Sequence, residues 1–548
     1  MKNRFLALST FSIVLFGFTA RVGAQDASVP HLAKRGDATQ LIVDGKPYLM
    51  LGVEIHNSSS SSLAYMEPEW PRLAAMGVNT VFTPVSWELV EPTEGKFDFT
   101  LVDGLLAGAR KAQLRLAFLW LASWKNGMSS YQPVWVKEDT KRFPRVVDDG
   151  REVNILSTFG EQTRAADERA FAALMQHLRE VDARDHTVVM MQVENEVGVL
   201  GNTRDHSDVA NRAFAGAVPT ELLRYLDQHR SGLNAELRSL WEENGAKTSG
   251  TWTEVFGDSP RADEIFMAWH YAKYVQAVTA KGKAAYDLPM YVNTWLGGQD
   301  AIPGNYPSGG PQPQVMDVWK AAGTAIDIYA PDLYSPDVYG WARRYHRPDN
   351  PLLLPETRGG EAGAANVFYI LGEHAALGFS PFGIDNWAPP STGELAEKDK
   401  SGEDALRVSY NAIDAIAPML LDAQSKGTVH GFVLDKSRPE ALFVMQAYEV
   451  QVRLDEIFGS HAEDGYGMIF STGPDAFLGV GKGFRVKFTP RDPAAKRVGI
   501  GAIDEGRYEN GKWVAGRRLN GDENDQGEYW RFDPRALHTE TVTLYRFE

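Results

Sequence analysis

Thr187-Val-Val-Met-Met-Gln-Val193 carries no charge and runs directly into Glu194-Asn195-Glu196. An unbroken apolar run of this length, ending abruptly in carboxylates, is the pattern of a strand buried on both faces, as in a parallel sheet. A second stretch repeats it: Pro351-Leu-Leu-Leu-Pro355 runs into Glu356-Thr357-Arg358. Working outward, six more short runs rich in β-branched and aromatic residues appear at Tyr48–His56, Asn79–Val85, Leu114–Trp120, Pro289–Thr294, Ile326–Ala330 and Ser380–Ile384. Segments with helical spacing separate them. Ala166–Arg184 places Phe171, Leu174, Met175 and Leu178 on one face, and Glu67–Ala75 ends at a glycine stop, Gly77. Eight buried strands alternating with helices predict a (β/α)₈ TIM barrel over 38–425. An open doubly wound sheet is the alternative, but no glycine-rich phosphate loop follows the first strand.

Two connections are long. Roughly 90 residues between the fourth and fifth strands hold several helices and Trp241, Trp252, Trp269 and Tyr271. The Gly- and Pro-rich stretch 297–313 reads as a loop beside the barrel mouth. From residue 426 the pattern changes to alternating runs, at Val429–Leu434, Ala441–Val452, Gly467–Ser471, Phe484–Phe488, Val498–Ile503 and Thr541–Phe547. These predict a smaller antiparallel β-sandwich domain over 426–548. Its Trp513, Tyr529 and Trp530 fit either polysaccharide binding or a buttressing role. The acidic stretch Asp522–Asp525 lacks the spacing of a calcium loop and reads as a solvated turn.

At the N-terminus, Lys2 and Arg4 precede an apolar run, and Val22-Gly23-Ala24 offers small residues for cleavage. Residues 1–24 therefore read as a signal peptide, followed by a mobile segment over 25–37, and the expected location is the periplasm or the medium. The 548 residues contain no cysteine, which excludes thiolate chemistry and disulfides, and the formal net charge of -16 disfavours nucleic acid and anionic membrane as partners. A neutral oligosaccharide is the expected partner. Oligomeric state stays open, a homodimer among the options.

Catalytic side chains of such barrels stand at the C-terminal ends of strands. Acidic clusters after the fourth and seventh strands are what glycosidic cleavage by two carboxyl groups needs. One must be protonated to assist the leaving oxygen; the other must be ionised to attack the sugar carbon. Glu194 and Glu196 share strand parity, so periodicity leaves open which is the acid. The remaining strand ends carry residue types suited to sugar hydroxyls and sugar faces: Glu54, His56 and Asn57; Trp87, Glu88 and Glu91; Ser123, Trp124, Lys125 and Asn126; Asn293 and Trp295; Asp332 and Tyr334; Asp385, Asn386 and Trp387.

The stretches GVEIH at 52–56, NTVFTPVSWELVEPTEGKFDF at 79–99 and QVENEVG at 192–198 resemble glycoside hydrolase family 35, the β-galactosidases, over residues 40–400. The resemblance implies a retaining exo-β-galactosidase. Glu196 would be the acid/base, Glu356 the nucleophile, Asn195 the holder of the sugar 2-hydroxyl and Tyr334 a contact of the nucleophile. Glu54, His56, Trp87, Trp124, Asn126, Asn293, Trp295 and Trp387 complete the expected sugar contacts, and no metal or organic cofactor is called for. Two departures stand out: the Ala-Glu-Trp usual after the third strand is replaced by Ala122-Ser123-Trp124, and a usual tyrosine by Asn57. They resemble a bacterial subgroup with a small C-terminal β-domain, some of whose members act on xyloglucan side chains. Another retaining β-glycosidase (β-glucosidase, β-xylosidase or endo-glycanase) shares the same carboxylates, and an inactive carbohydrate-binding barrel is the reading from a different class.

Overall fold

The computed structural model describes residues 28–298, 300–385, 394–457, 460–492, 497–509 and 511–547. The expected signal peptide and Trp387 lie outside the described residues. Eight strands, β1 (Met50–Glu54), β2 (Thr80–Ser86), β3 (Arg115–Leu121), β4 (Val188–Val193), β5 (Met290–Trp295), β6 (Ile328–Leu333), β7 (Leu354–Thr357) and β8 (Gly378–Pro381), close into one barrel in sequence order. Every neighbouring pair is parallel, including β8 on β1 and β4 on β5. Each strand falls where the apolar runs predicted one.

Strand alternation sorts the side chains into two layers. Met50, Phe82, Ala117, Leu119, Met190, Tyr291, Ile328 and Ala330 form the barrel interior. Leu51, Val53, Val81, Phe118, Trp120 and Met191 face outward and join the larger core beneath the helices. The long helix Pro260–Ala285, within the fourth connection, packs on the helix Glu161–Asp182; Gly282 lets Phe171 lie against its backbone. No helix among the described residues is long and apolar enough to cross a membrane.

The N-terminal segment departs from expectation. His31–Arg35 is a strand, paired antiparallel with Ala38–Val43, which in turn pairs with Lys46–Tyr48. Leu41 and Val43 are buried in the same cluster as the barrel interior, so this small sheet plugs the N-terminal end of the barrel. Leu32 packs against that cluster, and the Asp37 N–H donates to the Ser425 carbonyl at 2.9 Å. Burying such side chains contributes about 1.5–3 kcal/mol each, enough to order a polar leader.

After the helix Glu394–Lys426 the chain is antiparallel β. A six-stranded sheet orders Val429–Leu434, Gly465–Gly473, Ala476–Lys482, His538–Phe547, Arg497–Glu509 and Lys512–Leu519; a four-stranded sheet orders Glu440–Met445, Tyr448–Leu454, Phe484–Pro490 and Trp530–Phe532. Phe432, Val450, Phe477, Val486, Trp530 and Val542 come from both sheets and share one core. The run 441–452 is two strands, not one. Its turn uses Gln446 in the left-handed region (φ 53°), a turn residue that composition does not announce. Trp530 is fully buried in this core, and Asp522–Asn524 belong to a short 3₁₀ turn capped by Asn520.

The β-region sits directly on the barrel's outer layer. The Tyr339 hydroxyl donates to the Val433 carbonyl and accepts from the Val433 N–H. The helix Gly360–Glu373, between β7 and β8, meets the strand Val429–Leu434 through Gly372 and Gly431; a Cβ on Gly431 would overlap the Phe368 carbonyl oxygen. Gly431→Ala is expected to destabilise the protein by about 1–3 kcal/mol through overpacking. Urea unfolding checks this; an unchanged midpoint would mean that the two layers do not approach so closely.

Candidate active site

Beyond Val193 the chain abandons strand geometry. Glu194 (φ 60°) and Glu196 (φ 44°) both sit in the left-handed region, on either side of Asn195. Such conformations cost on the order of 1–3 kcal/mol each and persist where surrounding contacts hold them. Here the Glu196 N–H donates to Asn293 Oδ1 at 2.9 Å, and its carbonyl accepts from the Gly127 N–H at 3.0 Å. Because the alternation stops, parity no longer governs the two glutamates. Glu194 turns inward: its Oε2 accepts from the Trp124 N–H at 2.8 Å. Burial, and then the neighbouring Asp167 carboxylate, push its pKa well up. Asp167 itself is tied to Trp120, Ser123 and Tyr274. Glu194 thus belongs to a structural network, and Glu196 faces the open cleft.

Glu356 comes from β7 and reaches the same cleft, where Tyr334 Oη donates to its Oε1 at 2.6 Å. Asp332, at the end of β6, stands between the two glutamates. One carboxylate oxygen from each of Glu196, Asp332 and Glu356 lies within 4.8 Å of the other two. Asn293 donates from Nδ2 to Asp332 Oδ2 at 2.6 Å, so a single amide positions both the Glu196 backbone and this third carboxylate. Glu54, at the end of β1, is buried beside them.

Lys125, 8% exposed, is the cation set among these four carboxylates. Burial alone would pull its pKa down; Glu356, Glu196, Glu54 and Asp332 more than offset this and hold it above its usual value. In return it opposes the rise of Glu54 and Glu196. Burial, then the Glu356 charge, lift Glu196 to about 7, against the pull of Lys125 and of a hydrogen bond with Asp332. Burial and the charges of Glu356 and Glu196 push Asp332 well up. Burial and the charge of Glu356 also raise the Tyr334 phenol far above its ordinary value, so it stays a donor to Glu356.

The cleft encloses about 960 Å³ and is lined by both glutamates, Asp332, Tyr334, Asn126 and Trp295, among others. Asn195 is fully buried, and neither atom of its amide has a partner among the described residues. Glu54 Oε1 is likewise unpartnered. His56 is drawn to Asp385, whose Oδ1 lies 2.9 Å from its N–H and 2.7 Å from its Nδ1. That contact ties the end of β1 to the chain after β8.

Two expected sugar contacts need correction. Trp87 and Trp124 are fully buried: the Trp87 indole donates to Glu91 and packs on Trp135, and the Trp124 indole donates to the Leu156 carbonyl between Tyr271 and Tyr274. Neither offers a face to a ligand. Asn293 is a positioning residue, as both ends of its amide are engaged by protein. Lys125 and Asp332 were visible at strand ends yet not singled out, because their importance lies in which charges surround them. Trp341, on the helix Val338–Tyr345, lines the cleft without any strand-end signal.

The three converging oxygens could in principle meet a cation. Asp332 and Glu356 each already have one oxygen engaged by a protein donor, and Lys125 supplies positive charge nearby. The arrangement fits carboxyls driven to different protonation states better than a cation cradle.

Residues 63–262 match a family model described as β-galactosidase, of the glycoside hydrolase family 42 type, and residues 406–531 match a domain of unknown function, DUF5597. A β-galactosidase of Xanthomonas manihotis is 30% identical over 195 residues, covering 32% of this chain and 28% of that protein. β-Galactosidase 11 of Arabidopsis thaliana is 26% identical over 266 residues, covering 41% of this chain and 28% of that protein. The chain therefore spans little more than a quarter of the length of these relatives. The β-galactosidase crystal structure from Bacillus circulans sp. alkalophilus superposes with a TM-score of 0.46 at 15% identity, over 68% of this chain and 57% of that one. Residues 63–262 are therefore similar to β-galactosidases of the family 42 type, not of family 35.

The charge arrangement predicts a titration. By ¹³C NMR of labelled glutamate carboxyls, Glu196 should have its midpoint near 7. In Lys125→Met that midpoint should move up, since a positive neighbour that favours the anion is gone. A wild-type midpoint in the ordinary carboxylate range, about 4.3, would sink this account of the site.

Proposed function

We propose that the chain is a retaining exo-acting β-galactosidase, with Glu196 as acid/base and Glu356 as nucleophile. The observation that carries this reading is the approach of their carboxylate oxygens to within 4.8 Å. Pairs about 5–5.5 Å apart suit attack by a carboxylate, whereas about 6.5–9.5 Å leaves room for a water. Glu196, lifted to about 7, keeps a substantial protonated fraction at neutral pH, and that form gives its proton to the leaving oxygen. Glu356, steadied by Tyr334, bonds to the sugar carbon as that oxygen departs. Glu196, now deprotonated, then takes a proton from water, which attacks the same carbon and frees Glu356. The unpartnered Asn195 amide beside Glu196 suits a sugar hydroxyl.

The choice of galactose is supported by the likeness to β-galactosidases over the first half of the barrel. The motifs at 52–56, 79–99 and 192–198 support placing the chain near family 35, and its xyloglucan-active subgroup makes galactosylated side chains the substrate to try first. The basic and apolar leader before Gln25 supports export, to the periplasm or beyond.

A panel of nitrophenyl β-glycosides tests the sugar. The galactoside should be cleaved best; preference for the glucoside or xyloside would reassign the substrate and keep the mechanism. Glu356→Ala should lose on the order of 10⁴-fold in kcat and be partly rescued by azide, yielding the α-galactosyl azide. Full activity in that variant would remove Glu356 from the nucleophile's role. Because Glu196 must be protonated to act as acid, kcat/KM should fall as pH rises through about 7. An alkaline limb that is flat to pH 9 would count against Glu196 as the acid.

A further inference from the structure

We infer that the outer half of the cleft is a binding site for the leaving group, shaped for a neutral oligosaccharide chain of two or more rings and walled by Trp295 and Trp341. The inference rests on the reading of Glu196 as the acid, because the leaving group departs on the acid's side. On β5, Asn293 holds the Glu196 backbone and Trp295 follows two residues later, on the same strand face. Two residues of strand advance about 7 Å, more than one sugar-ring step. Trp295 therefore stands nearer the cleft mouth than Asn293, which holds the Glu196 backbone.

Trp295 is 38% exposed, although the backbone around it is pinned: Gln312 Nε2 donates to the Trp295 carbonyl at 2.5 Å and Gln312 Oε1 accepts from the Gly297 N–H at 3.5 Å. An open indole on a pinned stretch of the cleft wall suits stacking on the C–H face of a sugar. Trp341 lines the same cleft from the helix Val338–Tyr345, its ring steadied by the Arg344 guanidinium 4.7 Å from the centroid.

Both arginines on this rim are paired with carboxylates, while Asp300 and Asp337 add negative charge. Arg344 pairs with Glu236 at 3.0 Å and Arg261 with Glu264 at 2.9 Å, and Asp337 caps its own helix by accepting from the Gly340 N–H. Paired arginines and an excess of carboxylates leave hydrogen-bonding edges and a field that repels anions, which suits a neutral polyhydroxyl ligand better than an anionic one. The volume agrees: at about 960 Å³ the cleft lies at the top of the ~300–1,000 Å³ range of sites that enclose ligands of several rings.

The test compares kcat/KM on nitrophenyl β-galactoside with kcat/KM on a galactosylated xyloglucan oligosaccharide, and adds calorimetric binding of the same glucan chain stripped of galactose. In Trp341→Ala and, separately, in Trp295→Ala, the oligosaccharide should lose about tenfold more than the aryl galactoside, mainly through KM, and binding of the stripped chain should weaken by a similar factor. Trp341→Tyr should restore most of the difference. Parallel losses on both substrates, or none, would overturn the inference and leave the galactosidase reading intact. If the wild type cleaves neither galactoside yet binds the stripped chain through these tryptophans, the galactosidase reading falls and the subsite stands. If one variant fails to fold, the other decides, since Trp295 is open to solvent and its indole makes no hydrogen bond among the described residues.

Discussion

Four carboxylates, Glu54, Glu196, Asp332 and Glu356, share a space from which water is largely excluded, with one ammonium, Lys125, among them. Like charges so close cannot all be ionised without heavy cost, so the cluster must hold protons. Burial favours the neutral forms and Lys125 favours the charged ones. At Glu196 burial and the Glu356 charge outweigh Lys125, and that is how a carboxyl is lifted to about 7. The barrel makes the constraint possible: parallel strands aim their C-terminal ends at one point, bringing residues from β1, β4, β6 and β7 together across 300 positions of sequence.

Holding that cluster takes scaffolding. The backbone at Glu194–Glu196 bends into the left-handed region twice, and Asn293, Gly127 and Trp124 supply the hydrogen bonds that keep it there. Glu194, half of what looks like an acidic pair, is spent on this support. Tyr334 and Asn293 then fix one oxygen each of Glu356 and Asp332, so rotation of either carboxylate would break a bond. Farther out, the sheet that plugs the barrel floor and the β-region packed on the helix Gly360–Glu373 brace the strands from below and from the side.

Much of the barrel was legible in the chain. Its strands are buried on both faces, so each appears as an apolar run, and a run that stops at a glutamate marks its own C-terminal end. The β-region was legible only in part. Its turn at Gln446 lacks the Gly, Asn or Asp that would announce it, so a hairpin reads as one strand. The floor strand His31–Arg35 is not legible in the sequence because most of its residues are polar or small and its pairing with Ala38–Val43, with Leu32 alone packed on the interior cluster, holds it.

Site residues divide along the same line. Sequence alone determined that glutamates end β4 and β7 and that tyrosine, asparagine and tryptophan ring the mouth, because strand order and strand length are local properties. Only the tertiary structure decided that Glu196 faces the cleft and Glu194 does not, that Trp87 and Trp124 are core while Trp295 is open, and that Lys125 sits among four carboxylates. Those outcomes depend on which groups meet across distant strands, and on the burial and charge that each then feels, which no single stretch of sequence contains.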